Sequence, residues 1–331
     1  MKNNISMNVL LKLSYSGDAY HGFAYQPSLP TVEHYLFWSF IKCNFVSTEE
    51  SIPDPKTFTF SKSVLTAISE MKYYKCGRTD AGVSAAAQYI SIFLPCAKSG
   101  KSYPYDVMLN QHLPDSIRIL GWMPVEETFS ARFSCTSREY EYYFAKGTLS
   151  IEKMQKASSL LVGTHWFGRL SKQEKEVSKK KRLEKKQKLS PDETQAEESV
   201  RTVDSIRFEK VSEDSDTGVE VYLMRIKARS FLHNQVRKIF SLLSMIGAGS
   251  DIRIENILNK NEKQEKDIKL SDPCPLVLAE CTFGTTDLTL LSSTPIKSRL
   301  FIKLCEDVSV ASRVKERITK EPLLKIKNNQ N

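Results

Sequence analysis

Lys75-Cys76-Gly77-Arg78-Thr79-Asp80-Ala81-Gly82-Val83-Ser84-Ala85 runs on into Ala86-Ala87-Gln88-Tyr89-Ile90-Ser91-Ile92-Phe93-Leu94. From Gln88 to Leu94, Ile90, Ile92 and Leu94 alternate with Tyr89, Ser91 and Phe93, the two-residue period of a β-strand. Lys72 to Lys75 reads as a strand end, and Gly77 to Ala85 as the loop between. Glycines permit positive φ and the close approach of another backbone. A loop framed by Gly77 and Gly82 can therefore hold Arg78 and Asp80 at a strand end. Two readings stand open from these residues alone: a self-satisfied turn in which Arg78 pairs Asp80, or a carboxylate presented to a ligand.

Working outward, Val9 to Ser14 has strand periodicity, with Ser16-Gly17-Asp18 as turn residues behind it. Thr31 to Cys43 is predicted as a helix, because Val32, Leu36, Phe40 and Cys43 fall on one face. A strand is expected around Tyr140 to Phe144. Ile151 to Leu161 follows as a helix with Gly163 as its stop. Val219 to Ala228 reads as a strand. A helix from about His233 to Ile246, ended by Gly247, carries the stripe Val236, Ile239, Phe240, Leu243 and Ile246. Pro275 to Phe283 reads as a closing strand. Strand–helix–strand thus occurs twice, without a sequence repeat. The order predicts an α+β protein of two similar halves, helices on one side of a largely antiparallel sheet.

The 331 residues suffice for two domains and a buried core. Lys and Arg number 48 against 39 Asp and Glu, a net charge of +9 that calls for an anionic partner. No apolar run is long enough to suggest a membrane span. Lys12 interrupts Val9-Leu10-Leu11, which argues against a secretory signal, and the scarcity of arginine near the start argues against a mitochondrial presequence. The seven cysteines (Cys43, Cys76, Cys96, Cys135, Cys274, Cys281, Cys305) are scattered and form no C-x-x-C. That fits reduced thiols of an intracellular protein better than a disulfide scaffold or a zinc site. His21, His34, His112, His165 and His233 are dispersed as well, so no metal site is expected. Lys172 to Lys188 holds nine basic and three acidic residues with only Val177 and Leu183 as large apolar side chains. Such a stretch reads first as a solvated insertion. A phosphate-touching arm or a nuclear import signal at Lys179-Lys180-Lys181-Arg182 are the sharper alternatives.

Two more clusters interleave charge with aromatic or apolar residues. Ala131-Arg132-Phe133-Ser134-Cys135-Thr136-Ser137-Arg138-Glu139-Tyr140-Glu141-Tyr142-Tyr143-Phe144 has the mixture common in single-strand RNA binders. Its bland alternative is a strand with one aromatic face in the core, and periodicity does not separate the two for Tyr142 and Phe144. Arg229-Ser230-Phe231-Leu232-His233-Asn234-Gln235-Val236-Arg237-Lys238 opens a helix with Arg237 beside its apolar stripe. Alone, Arg237 reads as a solvated flank.

Together the clusters resemble a family. Gly77 to Ala85 is similar to the G-R-T-D-A-G-V-[HS]-A signature of the TruA-type tRNA pseudouridine synthases. Phe129-Ser130-Ala131-Arg132-Phe133-Ser134 with Ser137-Arg138-Glu139-Tyr140 resembles the A-R-F-S…R-x-Y segment of that family. Phe231 to Ile239 resembles its F-x-x-x-x-V-R-x-I helix, and Asn110-Gln111-His112-Leu113-Pro114-Asp115 its N-x-x-L-P turn. Where bacterial members carry Y-x-G-W-Q, this chain has Tyr20-His21-Gly22-Phe23-Ala24-Tyr25-Gln26. That variant, Ile117 to Trp122 and Pro275 to Leu278 look like the eukaryotic branch acting on uridines 38 and 39. The insertion after Leu170 is longer than the family pattern, and Glu139 and Glu141 stand where it is often basic.

The resemblance implies two ferredoxin-like (RRM-like) halves sharing a central antiparallel sheet, with an RNA cleft between them. The halves would span 8–112 and 113–290, the second carrying the flexible insertion at about 172–199, and 291–331 would be an extension. It implies isomerisation of uridine to pseudouridine in the tRNA anticodon stem-loop, with no cofactor and no metal. Asp80 would be the catalytic carboxylate, either attacking C1′ or removing a proton from C2′. Arg237 would keep that carboxylate ionised. Tyr140 would stack on the uracil and assist proton removal at C5, and Arg78 would hold the flipped nucleotide or fill its place. A homodimer, and a cytoplasmic or also nuclear location, are compatible with the family. The rival readings are a tRNA-binding or RNA-folding protein without catalysis, and a generic ferredoxin-like RNA-binding domain.

Overall fold

The computed structural model describes residues 5–46, 57, 59–97, 99–172, 199–213, 218–262 and 267–284. The basic stretch 173–198, the extension 291–331 and Cys305 lie outside the described residues. The strands are β1 (Ser6–Tyr15), β2 (Tyr74–Lys75), β3 (Ser84–Pro95), β4 (Ile117–Pro124), β5 (Ser137–Ala145), β6 (Gly163–Trp166), β7 (Val200–Glu213), β8 (Glu220–Ala228) and β9 (Leu276–Thr282). The α-helices are α1 (Val32–Lys42), α2 (Lys62–Glu70), α3 (Tyr105–Asn110), α4 (Ile151–Ser159), α5 (Gln235–Gly247) and α6 (Ile254–Leu258). This is an α+β chain with mostly antiparallel strands. Among the described residues no helix is long and apolar enough to cross a membrane.

The chain divides into two compact units, one of Met1–Arg138 with the described residues from Pro273 onward, the other of Glu139–Asp272. The boundary falls inside β5. In the first unit the strand order is β4-β1-β3-β9, with β2 on β3. β1 is its central strand. Val9, Leu10, Leu11 and Leu13 are all fully buried, because neighbours on both edges and cover on both faces leave an interior strand no wet side. Leu11 sits opposite Ile90 of β3 and Trp122 of β4, both antiparallel. One pair departs from the expected antiparallel sheet: β9 runs parallel to β3, with Ser84 opposite Val277 and Ala85 opposite Leu278. A parallel pair needs a long crossover, and here the intervening chain includes the whole second unit. Helix α1 begins where expected: Thr31 caps it, its hydroxyl accepting from the His34 N–H (3.3 Å).

The second unit has the order β5-β8-β7-β6. Helix α4 is capped by Ser150, whose hydroxyl accepts from the Lys153 N–H. Met154, Leu243, Ile239 and Val221 are buried here with at most trace exposure. Spatial proximity also revises the reading of the cysteines as scattered. Cys76, Cys135 and Cys281, all in the first unit, bring their sulfurs within 4.8 Å of one another.

Candidate active site

The loop between β2 and β3 is fixed at several points by residues of its own unit. At its start, the fully buried side chain of Gln88 binds both backbone groups of Gly77. The Gly77 N–H donates to Oε1 (3.2 Å), and Nε2 donates to the Gly77 carbonyl (3.1 Å). Arg138 donates from Nε and Nη2 to the carbonyl of Cys76 (3.1 and 2.6 Å). In the middle, the Thr79 hydroxyl lies 2.8 Å from the Tyr15 hydroxyl, and the Thr79 carbonyl accepts from the Phe23 N–H at 3.1 Å. Burial holds the Tyr15 hydroxyl well above the ordinary tyrosine pKa, so it remains a neutral partner.

Asp80 then opens a tight turn. The Val83 N–H donates to the Asp80 carbonyl (3.1 Å), and Gly82 takes φ +79°, a conformation that side chains disfavour. The Gly82 N–H is in turn bound by the Tyr20 carbonyl at 3.2 Å. Asp80 is half-buried, Thr79 before it is buried, and Arg78 is exposed. A carboxylate is thus carried on a backbone that is pinned on both sides.

The facing segment after β1 packs directly on this turn. A Cβ on Gly17 would lie 2.2 Å from the Val83 carbonyl oxygen, so the close backbone approach occurs at Gly17 rather than at Gly77. The Gly17 N–H donates to the Ser84 hydroxyl (2.9 Å). Glu33 of α1, only 2% exposed, anchors the segment from below. Its carboxylate accepts from Lys75 Nζ (2.5 Å), the Tyr73 hydroxyl (2.8 Å) and the Tyr25 N–H (2.8 Å). Burial lowers the pKa of Lys75, an effect opposed by the Glu33 charge.

In the second unit, Tyr140 is on β5, buried to 8% exposure, with its ring edge-on to Phe231 at 5.3 Å. Tyr142 and Phe144, left open by periodicity, belong to the core. Tyr142 stacks on Phe240 at 3.8 Å, and its hydroxyl donates to the Asp272 carbonyl (3.0 Å). Phe144 lies 5.1 Å from the same ring. Arg237, in the first turn of α5, donates from Nε and Nη2 to the Ser271 carbonyl (2.8 and 2.5 Å). The Ser271 hydroxyl returns a bond to the Arg237 carbonyl (2.9 Å). This fork fixes the plane of the guanidinium, which a solvated flank would leave mobile. Glu139 and Glu141 are tied to Arg225, whose Nη1 lies 3.3 and 2.7 Å from their carboxylates.

Arg78 and Asp80 therefore share one loop of the first unit, while Tyr140 and Arg237 stand on β5 and α5 of the second. Sequence reasoning assigned no role to Gln88, Thr79, Tyr15 or Glu33. Gln88 had a signal: a long amide within a largely apolar strand whose other polar side chains are two small serines.

A family model described as tRNA pseudouridine synthase matches residues 157–284. The chain is 31% identical over 281 residues to tRNA pseudouridine synthase A of Methanosarcina acetivorans, covering 84% of this chain and 85% of that protein. The chain belongs to the tRNA pseudouridine synthase family. It is also 30% identical over 302 residues to a human tRNA pseudouridine(38/39) synthase, covering 83% of this chain and 55% of that one. The enzyme of that name from Saccharomyces cerevisiae is 29% identical over 298 residues, with 84% and 58% covered. The chain spans a little over half the length of these eukaryotic pseudouridine synthases.

Proposed function

We propose that this protein isomerises uridine to pseudouridine in the anticodon stem-loop of tRNA, at positions 38 and 39, and that its two units correspond to ferredoxin-like halves. The observation that carries the reading is the pinned Asp80 turn, with Gly82 at φ +79° and the Asp80 carbonyl bound by Val83. A binding protein has no need to pin so firmly the backbone that carries one carboxylate at a strand end. The reaction breaks the C1′–N1 bond, turns the uracil and joins C5 to C1′. Atoms are conserved, and the proton on C5 is lost to a base while one is gained at N1.

Departure of the base makes C1′ oxocarbenium-like, and a carboxylate beside it can attack or stabilise it, as in glycoside hydrolysis. Asp80 is assigned that role. Burial alone raises a carboxylate pKa, and a guanidinium lowers it. Arg237 is assigned to hold Asp80 ionised. Tyr140 is assigned to stack on the detached uracil and to assist removal of the C5 proton. Arg78, exposed on the same loop as Asp80, is assigned to hold the extruded nucleotide, whose unstacking costs about a few kcal/mol. The net charge of +9 supports a salt-dependent grip on phosphates.

The test is tritium release from tRNA labelled at uracil C5. Wild-type protein is expected to release label from positions 38 and 39, and Asp80→Asn to lose on the order of 10⁴-fold in rate while still binding tRNA. Release that persists in Asp80→Asn would remove Asp80 from the chemistry. tRNA binding without release by wild-type protein would favour the non-catalytic reading.

A further inference from the structure

We propose that Cys76, Cys135 and Cys281 form a binding site for a thiophilic metal ion at the root of the Asp80 loop. Their sulfurs all lie within 4.8 Å of one another. They come from three separate segments: Cys76 directly precedes Gly77, Cys135 precedes β5, and Cys281 is in β9. A metal–sulfur bond of about 2.3 Å places ligand sulfurs roughly 4 Å apart. The trio needs to close by less than ~1 Å to meet that geometry.

Three features suit an ion here. The ligand set is all sulfur, which selects soft ions such as zinc, cadmium or monovalent copper over magnesium or calcium. The site is dry, the three residues being 3%, 3% and 1% exposed, so water does not compete for the ion. A counter-charge is present, because Arg138 is held by the Cys76 carbonyl at 2.6 Å. Three thiolates on a divalent ion carry one excess negative charge, which that guanidinium offsets; buried charge is otherwise costly.

Metal binding forms three metal–sulfur bonds and releases the thiol protons to solvent. The bound ion would fasten Cys76, and with it the first residue of the loop that carries Asp80.

The experiment uses the full, reduced chain, stripped with chelator and titrated with cadmium chloride. One equivalent should bind per chain, with a sulfur-to-cadmium charge-transfer band in the ultraviolet. X-ray absorption at the cadmium edge should show three sulfur neighbours. Cys135→Ser should lose the band, and Cys43→Ser, outside the trio with its thiol on the Met108 carbonyl, should keep it. If Cys135→Ser does not fold, the sulfur count on wild-type protein decides. A shell of oxygen or nitrogen, fewer than three sulfurs, an undiminished band in folded Cys135→Ser, or no uptake at all overturns the proposal.

Discussion

At the scale of single residues, the Asp80 loop depends on what its neighbours lack as much as on what they supply. Gly17 has no Cβ, and the Val83 carbonyl occupies the space one would fill, 2.2 Å from its ideal position. Backbone is the obstacle, so no rotamer change relieves the clash. Gly17→Ala is expected to cost about 2 kcal/mol and to shift the turn that follows Asp80. Under the proposed function its kcat for pseudouridine formation should fall at least about tenfold, since small misplacements of a catalytic group are expensive. Paired melting curves and single-turnover kinetics check this. A loss of stability at unchanged kcat would show the contact to be structural only. Asp80 itself was legible, because an aspartate between loop glycines stands out. Its supports were not: Tyr15, Thr79 and Glu33 look like ordinary core or helix residues until the chain is folded around them.

At the scale of elements, helix α6 shows how one side chain completes a short helix. Arg169, 9% exposed, donates to the carbonyls of Asn256, Ile257, Asn259, Lys260 and Glu262 at and beyond its C-terminal end. Carbonyls at a helix end have no partner within the helix, and a planar cation matches their negative end. Arg169→Met is expected to destabilise the second unit by about 3 kcal/mol, and Arg169→Lys by about 1 to 2, because an ammonium does not fork. Urea denaturation of the three proteins tests the order. Elements with a full apolar stripe, such as α1 and α5, were readable from spacing alone. β7 was not, since only Val203 and Ile206 of its fourteen residues are buried hydrophobics, which leaves little alternation to detect. α2 was missed although Ser61 caps it and Val64 and Ile68 mark its buried side. On β5 the two faces separate what the sequence mixed. Tyr142 and Phe144 fill the core, while Glu139 and Glu141 pair with Arg225.

At the scale of the whole molecule, pairing between distant segments decides the architecture. The closing strand β9 was legible as a strand but its partner was not, because parallel pairing to β3 leaves no local mark in either sequence. Leu278, fully buried opposite Ala85, is the point where that pair is anchored. Leu278→Ala is expected to cost about 3 kcal/mol and to raise amide hydrogen exchange at the start of β3, with little change in β7 and β8. Equal acceleration in both units would mean that they unfold as one. The same convergence of distant segments brings Cys76, Cys135 and Cys281 together, which no spacing rule along the chain could anticipate. The parallel seam also sets a timetable for synthesis. At roughly 5–20 residues per second, a ribosome finishes the first eight strands well before it delivers the ninth. Until then the start of β3, at Ser84 and Ala85, stays open to aberrant partners, so nascent chains stalled or truncated ahead of Leu276 should be the ones that chaperones retain and proteases clear.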